Sequence, residues 1–437
     1  MSCFRIRGPA HLSGTFRPAG NKNAALPILA GCLLTDESVE LQNVPDIRDV
    51  HTLCDLLADL GAEVHWTGEH TVQVRAAEIS KGTLDPELAG RIRASVLLAG
   101  PLLARRGEVR LPPPGGDVIG RRRLDTHFLA LGRLGAEVET GDAYYLRSPG
   151  LRGARIFLDE PSVTGTENAV LAAVTARGTT ELRNAATEPH VQDLCRFLIT
   201  LGASIEGVGT HTLRIEGRER LSGGSYRLGP DHIEVGSLLG LAAATGSPLV
   251  IEGVPADTMD PLRVGFEKLG VHFDLRDGDV HVPADQALEI QADLGDQIPK
   301  IDDGPWPAFP ADLISIALVV ATQCRGTILI HEKMFESRMF FVDKLISMGA
   351  RIVLCDPHRA VVVGPSRLRG QVLESPDIRA GMALVIAALA AEGESEIHNI
   401  RQIERGYEGI GRRLRSLGAE VHREPGPEGG GGEWTGT

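Results

Sequence analysis

Six times along the chain a helical stretch ends in Leu-Gly-Ala, or a near variant, and passes into a strand. The phrase stands at Leu60-Gly61-Ala62, Leu134-Gly135-Ala136, Leu201-Gly202-Ala203, Leu269-Gly270-Val271, Met348-Gly349-Ala350 and Leu417-Gly418-Ala419, in steps of 74, 67, 68, 79 and 69 residues. A period this regular is an internal repeat, and it restricts the fold more than composition does. The leucine packs inward, the glycine takes the left-handed conformation that stops a helix, and the chain then extends. Ahead of the helix runs a short strand leading into a polar loop, as at Val39–Asn43, Thr180–Asn184 and Ser395–Asn399. Each unit also carries a second helix rich in Ala and Leu, such as 23–34, 92–103 and 381–391. The expected fold is therefore α/β, built from six repeated units, three per domain. Residues 22–229 are expected to form the first domain, carrying a lid loop at 112–123. Residues 1–21 with 230–424 form the second, the strand near 4–7 pairing within it, and 425–437 reads as a disordered tail.

The length of 437 residues exceeds what one ordinary core organises, in agreement with two domains. With 42% apolar and 24% charged residues the chain reads as a soluble globular protein. No signal-peptide core and no bilayer-length apolar run stands in it, so a cytoplasmic setting and no membrane partner are expected. The six cysteines are scattered, with no Cys-x-x-Cys pair and no His nearby in sequence, which argues against a disulfide framework or a zinc site. A net charge of −13 argues against a nucleic-acid partner. Six α/β repeats also build DNA sliding clamps, but a clamp needs similar basic loops in every copy. Here Arg121–Arg123 fall in copy two, Arg338 in copy five and Arg405 in copy six. Unequal decoration of an equal scaffold favours an enzyme acting on an anionic small molecule.

The segment from Pro112 to Arg123 reads Pro-Pro-Pro-Gly-Gly-Asp-Val-Ile-Gly-Arg-Arg-Arg. Stiff prolines, two turning glycines, the acid Asp117 and a guanidinium cluster suit a lid over a phosphorylated substrate, or a solvated surface loop. Gly20-Asn21-Lys22-Asn23 opens the first helix, where backbone N–H groups and a lysine favour an anion.

This helix start, the Pro-Gly-Gly-Asp-Val-Ile-Gly lid, Phe309-Pro310-Ala311-Asp312 and Glu404-Arg405-Gly406-Tyr407-Glu408 together resemble the enolpyruvyl transferases, and among them those acting on UDP-N-acetylglucosamine. The resemblance covers residues 1–424. It implies a two-domain inside-out α/β barrel closing over substrate, with no metal and no organic cofactor. It implies transfer of the enolpyruvyl group of phosphoenolpyruvate to the sugar 3-hydroxyl, at the entry to peptidoglycan synthesis. Lys22, Asn23, Arg122, Arg338, Arg379 and Arg405 then correspond to residues that grip phosphoenolpyruvate. Arg93, Arg122–Thr126 (Arg122, Arg123, Leu124, Asp125, Thr126), Glu160, Pro161, Ser162, Val163 and Met334 correspond to contacts with the sugar nucleotide. Asp312 corresponds to the base on the 3-hydroxyl, a position that equally suits a helix cap. Asp377 supports the site or merely caps its helix, and Arg93 alone would read as a surface residue. Asp302 and Asp303 read as a turn. The family variants acting on shikimate 3-phosphate or another nucleotide, and a non-catalytic binding protein, are the alternatives.

One position departs from the resemblance. Most members carry cysteine at the lid tip, and here it is Asp117. A thiol and a carboxylic acid can each deliver a proton to C3 of phosphoenolpyruvate, the carboxyl only when desolvated enough to hold one. Asp117 is thus either that acid or a residue of product release. Fosfomycin acts on the family by alkylating the cysteine, and a carboxylate is the poorer nucleophile, so insensitivity is expected. His232 also stands where arginine is common in the family.

Overall fold

The computed structural model describes residues 2–117 and 119–425; Val118 and the tail from Gly426 lie outside the described residues. Two compact units emerge. The first comprises Pro18–His232 with Gly304–Pro310, and the second comprises the chain up to Arg17, Ile233–Asp303 and Ala311 onward. Residues 18–21 and 230–232 thus group with the first unit, and 304–310 return to it from between two segments of the second.

Among the described residues each unit holds three small sheets, and their topology repeats. A central strand pairs antiparallel with one strand of a hairpin, and on its other edge accepts a parallel strand from elsewhere. Ser38–Gln42 runs antiparallel to Thr71–Arg75 and parallel to Gly224–Arg227. Thr179–Arg183 repeats this with Thr212–Glu216 and Arg155–Phe157. In the sheet of Glu108–Leu111 the parallel neighbour shrinks to one bridge, Thr83 to Arg110. The second unit builds the same pattern on Leu249–Ile251, Gly326–His331 and Gly393–His398. In the last of these the antiparallel partner is the chain's first strand, Cys3–Gly8, which lies between Gly393–His398 and Glu420–Glu424. The sixth repeat is therefore completed by the other end of the chain.

The helix stop read from sequence has one geometry in all six copies. Gly61, Gly135, Gly202, Gly270, Gly349 and Gly418 have φ of 106°, 99°, 96°, 71°, 104° and 101°. The residue after each donates its N–H to a carbonyl five residues back, from Ala62 to Leu57 through Ala419 to Leu414, which satisfies the last turn. Asn43, Asn184 and Asn399, ending the three matched strands, also sit at positive φ (58°, 59° and 58°), a conformation asparagine tolerates.

Two kinds of helix follow from two kinds of sequence. Arg48–Asp59 buries only one stripe (Asp49, Val50, Leu53, Cys54, Leu56 and Leu57) and covers a sheet edge. Val163–Ala173, Ile314–Gln323 and Ile378–Ala390 are buried on nearly every side and fill the middle of their units. Close approach there requires glycine: a Cβ at Gly240, in His232–Thr245, would stand 2.3 Å from Ile316 Cγ2. Sheets thus lie outside and apolar helices inside. This arrangement aims helix starts, loops and strand ends, rather than sheet faces, at the polar chemistry. Among the described residues no helix is long and apolar enough to cross a membrane.

Candidate functional site

In the first unit, helix Lys22–Gly31 begins at the cap residue Asn21, whose side-chain oxygen accepts from the N–H groups of Asn23 and Ala24 at 2.8 and 3.2 Å. Lys22 is 7% exposed and pairs at 2.8 Å with Asp49, which is 5% exposed. A buried cation of this kind persists only when answered, and Asp49 answers it. Because Oδ1 of Asn21 is engaged as an acceptor, its amide nitrogen faces Nδ1 of His232 at 3.2 Å. That nitrogen must then accept, which assigns a neutral imidazole protonated on Nε2. His232 stacks on His190 and meets the edge of Trp306.

The lid rises from Leu111 and lies against the turn Ala89–Arg93. Gly115 donates to the Ala89 carbonyl at 3.3 Å, and a Cβ there would fall 1.7 Å from the Gly90 oxygen. Gly116 has φ of 101°, and its own Cβ would crowd Arg93 and approach the Arg122 guanidinium. The two glycines therefore permit this path, and Asp117 follows them directly. Arg93 opens the 3-10 turn Arg93–Leu98 and donates to the carbonyls of Arg122 and Arg123 at 2.7 and 3.1 Å. Burial first, and then the neighbouring Arg122 charge, push its pKa down to about 10. Arg93, half-buried, thus ties the segment at Arg122 and Arg123 to the turn Ala89–Arg93.

Beyond the lid, Arg123 pairs with Asp125 at 2.7 Å, and Leu124 leads into helix Asp125–Arg133. Thr126 donates to Asp159 at 2.7 Å and lies 3.4 Å from Glu160. The turn Glu160-Pro161-Ser162 ends with the Ser162 hydroxyl capping helix Val163–Ala173, where it accepts from Gly165 at 3.2 Å. The lid leg and this turn, 33 positions apart at Thr126 and Asp159, thus share one polar surface.

In the second unit the centre is Asp312. Arg338 donates to its Oδ1 at 2.6 Å and Arg379 to its Oδ2 at 3.0 Å through both Nε and a terminal nitrogen. Both arginines are 5% exposed. Arg338 lies over the Phe335 ring and Arg379 over Tyr407, whose hydroxyl bonds to Ser237 at 2.8 Å. Asp312 sits in the 3-10 turn Ala311–Leu313, and helix Ile314–Gln323 has Leu313 at its cap position, so the capping role does not explain Asp312. Asp377 does cap its helix, accepting from Arg379 and Ala380 at 2.8 and 3.0 Å, and in doing so fixes the backbone that presents Arg379. Arg405 ends the turn Ile403–Arg405 and donates to Gln402 at 2.8 Å.

Sequence reading missed several members. Asp303 is no mere turn residue. It is fully buried, and its two oxygens accept from the N–H groups of Lys333 and Met334 at 2.5 and 3.2 Å, which sets the backbone before Arg338. Asp302 pairs with Lys333 and Lys300 at the rim. Glu332, also fully buried, accepts from Phe335 at 3.1 Å. In the first unit Asn168 accepts from Gly100, donates to Val96 and reaches Nδ1 of His127, joining three elements. The polar run Thr166-Glu167-Asn168 inside an apolar helix was the available signal for Asn168, while Asp303 and Glu332, at strand ends, carried none; only burial makes them meaningful. Cys3 likewise gains the histidine neighbour that sequence distance hid, since His398 and Glu396 come within 4.8 Å of it. There the His398 ring already pairs with Glu396 at 3.1 Å and Arg5 answers Glu424 at 3.2 Å on the same sheet face.

Residues 6–414 match the family model described as EPSP synthase (3-phosphoshikimate 1-carboxyvinyltransferase). A protein of Bradyrhizobium diazoefficiens named UDP-N-acetylglucosamine 1-carboxyvinyltransferase is 61% identical over 422 residues, covering 97% of this chain and 98% of its own. One of the same name from Treponema denticola is 54% identical over 421 residues, covering 96% and 99%. Among solved structures, the enolpyruvyl transferase NikO from Streptomyces tendae superposes with a TM-score of 0.86 at 26% identity, covering 98% of this chain and 99% of that one. EPSP synthase from Acinetobacter baumannii shares the fold, with a TM-score of 0.76 at 16% identity over 97% and 100%.

Proposed function

The chain belongs to the carboxyvinyltransferase family of EPSP synthase, among the UDP-N-acetylglucosamine 1-carboxyvinyltransferases, and from this membership we propose how its residues divide the reaction. The enzyme transfers the enolpyruvyl group of phosphoenolpyruvate to the 3-hydroxyl of UDP-N-acetylglucosamine and releases phosphate. This is the first committed step of peptidoglycan synthesis, which supports cytoplasmic cell-wall biogenesis and through it cell shape and division.

The hydroxyl oxygen bonds to C2 of phosphoenolpyruvate while C3 gains a proton. The tetrahedral adduct then breaks the C2–phosphate bond and returns a C3 proton, leaving the enol ether. Asp312 takes the hydroxyl proton and Asp117 delivers the proton to C3. Lys22, Asn23, Arg122, Arg338, Arg379 and Arg405 hold the phosphate and carboxylate. Arg93, Arg123, Leu124, Asp125, Thr126, Glu160–Val163 and Met334 hold the nucleotide sugar, and Asp377 presents Arg379.

The observation that carries this division is the clamp of Arg338 and Arg379 on Asp312. Two buried guanidiniums on one carboxylate form an anion site already satisfied by the protein's own base. The carboxylate and phosphate of phosphoenolpyruvate offer those guanidiniums another anion and leave Asp312 to accept the hydroxyl proton. Base and cations are thereby coupled, and the base is released as the substrate arrives.

The test is phosphate release from phosphoenolpyruvate with UDP-N-acetylglucosamine, shikimate 3-phosphate or free uridine nucleotides as acceptor. Turnover with the first is expected; turnover with another acceptor and none with UDP-N-acetylglucosamine overturns the reading. Asp312→Asn is expected to lower kcat by roughly 10²–10⁴-fold, the span of general-base catalysis. Full rate in that variant removes the base from Asp312.

A further inference from the structure

Glu332 is a buried carboxyl with one of its two oxygens left without a hydrogen bond among the described residues. It stands at the end of strand Gly326–His331, completely buried, and its backbone is pinned from both sides of His358, whose ring and carbonyl each bond to it at 2.8 Å. Its Oε1 accepts from the Phe335 N–H at 3.1 Å. Among the described residues its Oε2 is buried without a hydrogen-bond partner; Nε of Arg338, itself buried and without one, is 3.9 Å away, within ion-pair range but beyond hydrogen-bond length. What does face it is Asp303, a second buried carboxylate whose two oxygens are both taken as acceptors by Lys333 and Met334. The remaining charges nearby are assigned elsewhere. Arg338 donates through a terminal nitrogen to Asp312, which leaves only its Nε toward Glu332, and Lys333 pairs with Asp302 at 2.5 Å. His331, the preceding residue, is biased toward its neutral form by burial and by Lys333. A bare carboxylate against Asp303 in this enclosure would have only Arg338, at 3.9 Å, to answer it, whereas a proton between the two acids makes their contact a hydrogen bond.

We propose that Glu332 is a positioning residue held as the neutral acid, donating through Oε2 to Asp303 and so fixing the wall against which Arg338 is set. This rests on the reading of Arg338 as a guanidinium that grips phosphoenolpyruvate. As the neutral acid, Glu332 packs beside Arg338 without competing for it, and Arg338 keeps its full charge for Asp312 and then for substrate. Once ionised, Glu332 would place a second anion 3.9 Å from Arg338 and draw it from that task. Burial, with Asp303 adding to it, pushes the Glu332 pKa up to about 9 from an ordinary 4.5. Competition therefore begins only on the alkaline side.

The experiment compares the unmodified enzyme with Glu332→Gln, in which the amide oxygen still accepts from Phe335 and the amide nitrogen still donates to Asp303. At pH 7 the variant is expected to keep kcat and both KM values within about twofold. Between pH 7 and 10 the KM for phosphoenolpyruvate of the unmodified enzyme should rise about tenfold, the KM for the nucleotide sugar staying level, and the variant should lack that rise. A second readout needs no activity. The raised folded-state value means that the unfolded chain releases this proton first, so stability falls between about pH 4.5 and 9, and the Tm of Glu332→Gln should gain on the unmodified protein across that window. A tenfold loss in Glu332→Gln at pH 7, or parallel Tm curves, overturns the proposal. If the Tm curves diverge as expected but the KM of both enzymes rises alike, the protonated acid stands and the link to Arg338 falls. Absence of any turnover in the unmodified enzyme, with diverging Tm curves, removes the assignment of Arg338 to substrate and leaves Glu332 a structural acid.

Discussion

At the scale of single residues, the molecule manages charge by placing each ion against a fixed partner. Lys22 has Asp49, Asp312 has two arginines, and Asp303 has two backbone N–H groups. Asp117 stands where the family resemblance leads one to expect cysteine. Epoxide opening needs a strong nucleophile, and a carboxylate is a weak one, so fosfomycin should leave the unmodified enzyme fully active after prolonged incubation. Asp117→Cys should confer time-dependent inactivation, with one thiol alkylated per chain by mass spectrometry. The assay is selective because none of the six native cysteines lies in the lid. Time-dependent loss in the unmodified enzyme would show that another nucleophile is trapped.

At the scale of elements, buried polar side chains decide how the inner helices meet. Asn168, inside Val163–Ala173, accepts from Gly100 at 2.8 Å and donates to Val96 at 2.9 Å, while His127 bridges it to Thr164. Its Oδ1 is fixed as acceptor by Gly100, so the amide nitrogen faces Nδ1 of His127 and the ring must be neutral. Burial, reinforced by Arg93, pushes the His127 pKa down to about 3 from an ordinary 6.5. The unfolded chain binds that proton more readily, so the contribution is full above pH 6.5 and is lost progressively as pH falls toward 3. His127→Gln should flatten the acid side of the Tm–pH curve in that window. Asn168→Ala, which strands the Gly100 and Val96 groups, should cost about 2–4 kcal/mol by denaturant unfolding. A neutral Asn168→Ala would mean that water replaces the amide.

At the scale of the whole molecule, the fold depends on its two chain ends meeting. Cys3–Gly8 supplies six register pairs to Gly393–His398 and five to Glu420–Glu424. Thr15–Phe16 adds to the sheet of Leu249–Ile251. Removing residues 1–8 should therefore expose the amides of 393–398 and 420–424 to fast hydrogen exchange, while Ser38–Gln42, paired within the first unit, stays protected. Equal protection in both regions would show that the last sheet closes without its middle strand.

The sequence by itself determined the repeat, because a left-handed glycine stop is a local conformational demand that recurs wherever the helix must end. Motif resemblance singled out Lys22, Asp312, Arg338, Arg379 and Arg405, and the structure places Asp312 against Arg338 and Arg379 and Lys22 against Asp49. The mixed α/β fold the sequence implied is the fold of the structural neighbours. The lid's course was legible only in part: two glycines announce a tight turn, but not that the turn lies on Gly90. Tertiary structure alone decided which charges are satisfied. Asp303 reads as a turn and Glu332 as an ordinary strand-end acid until both are found enclosed beside Arg338, 35 and 6 positions from it in sequence. Burial and long-range pairing set the protonation of such groups, and neither is a property of neighbouring residues in the chain. That is why Asp312 was visible as a motif, while the buried carboxyls Asp303 and Glu332 were not.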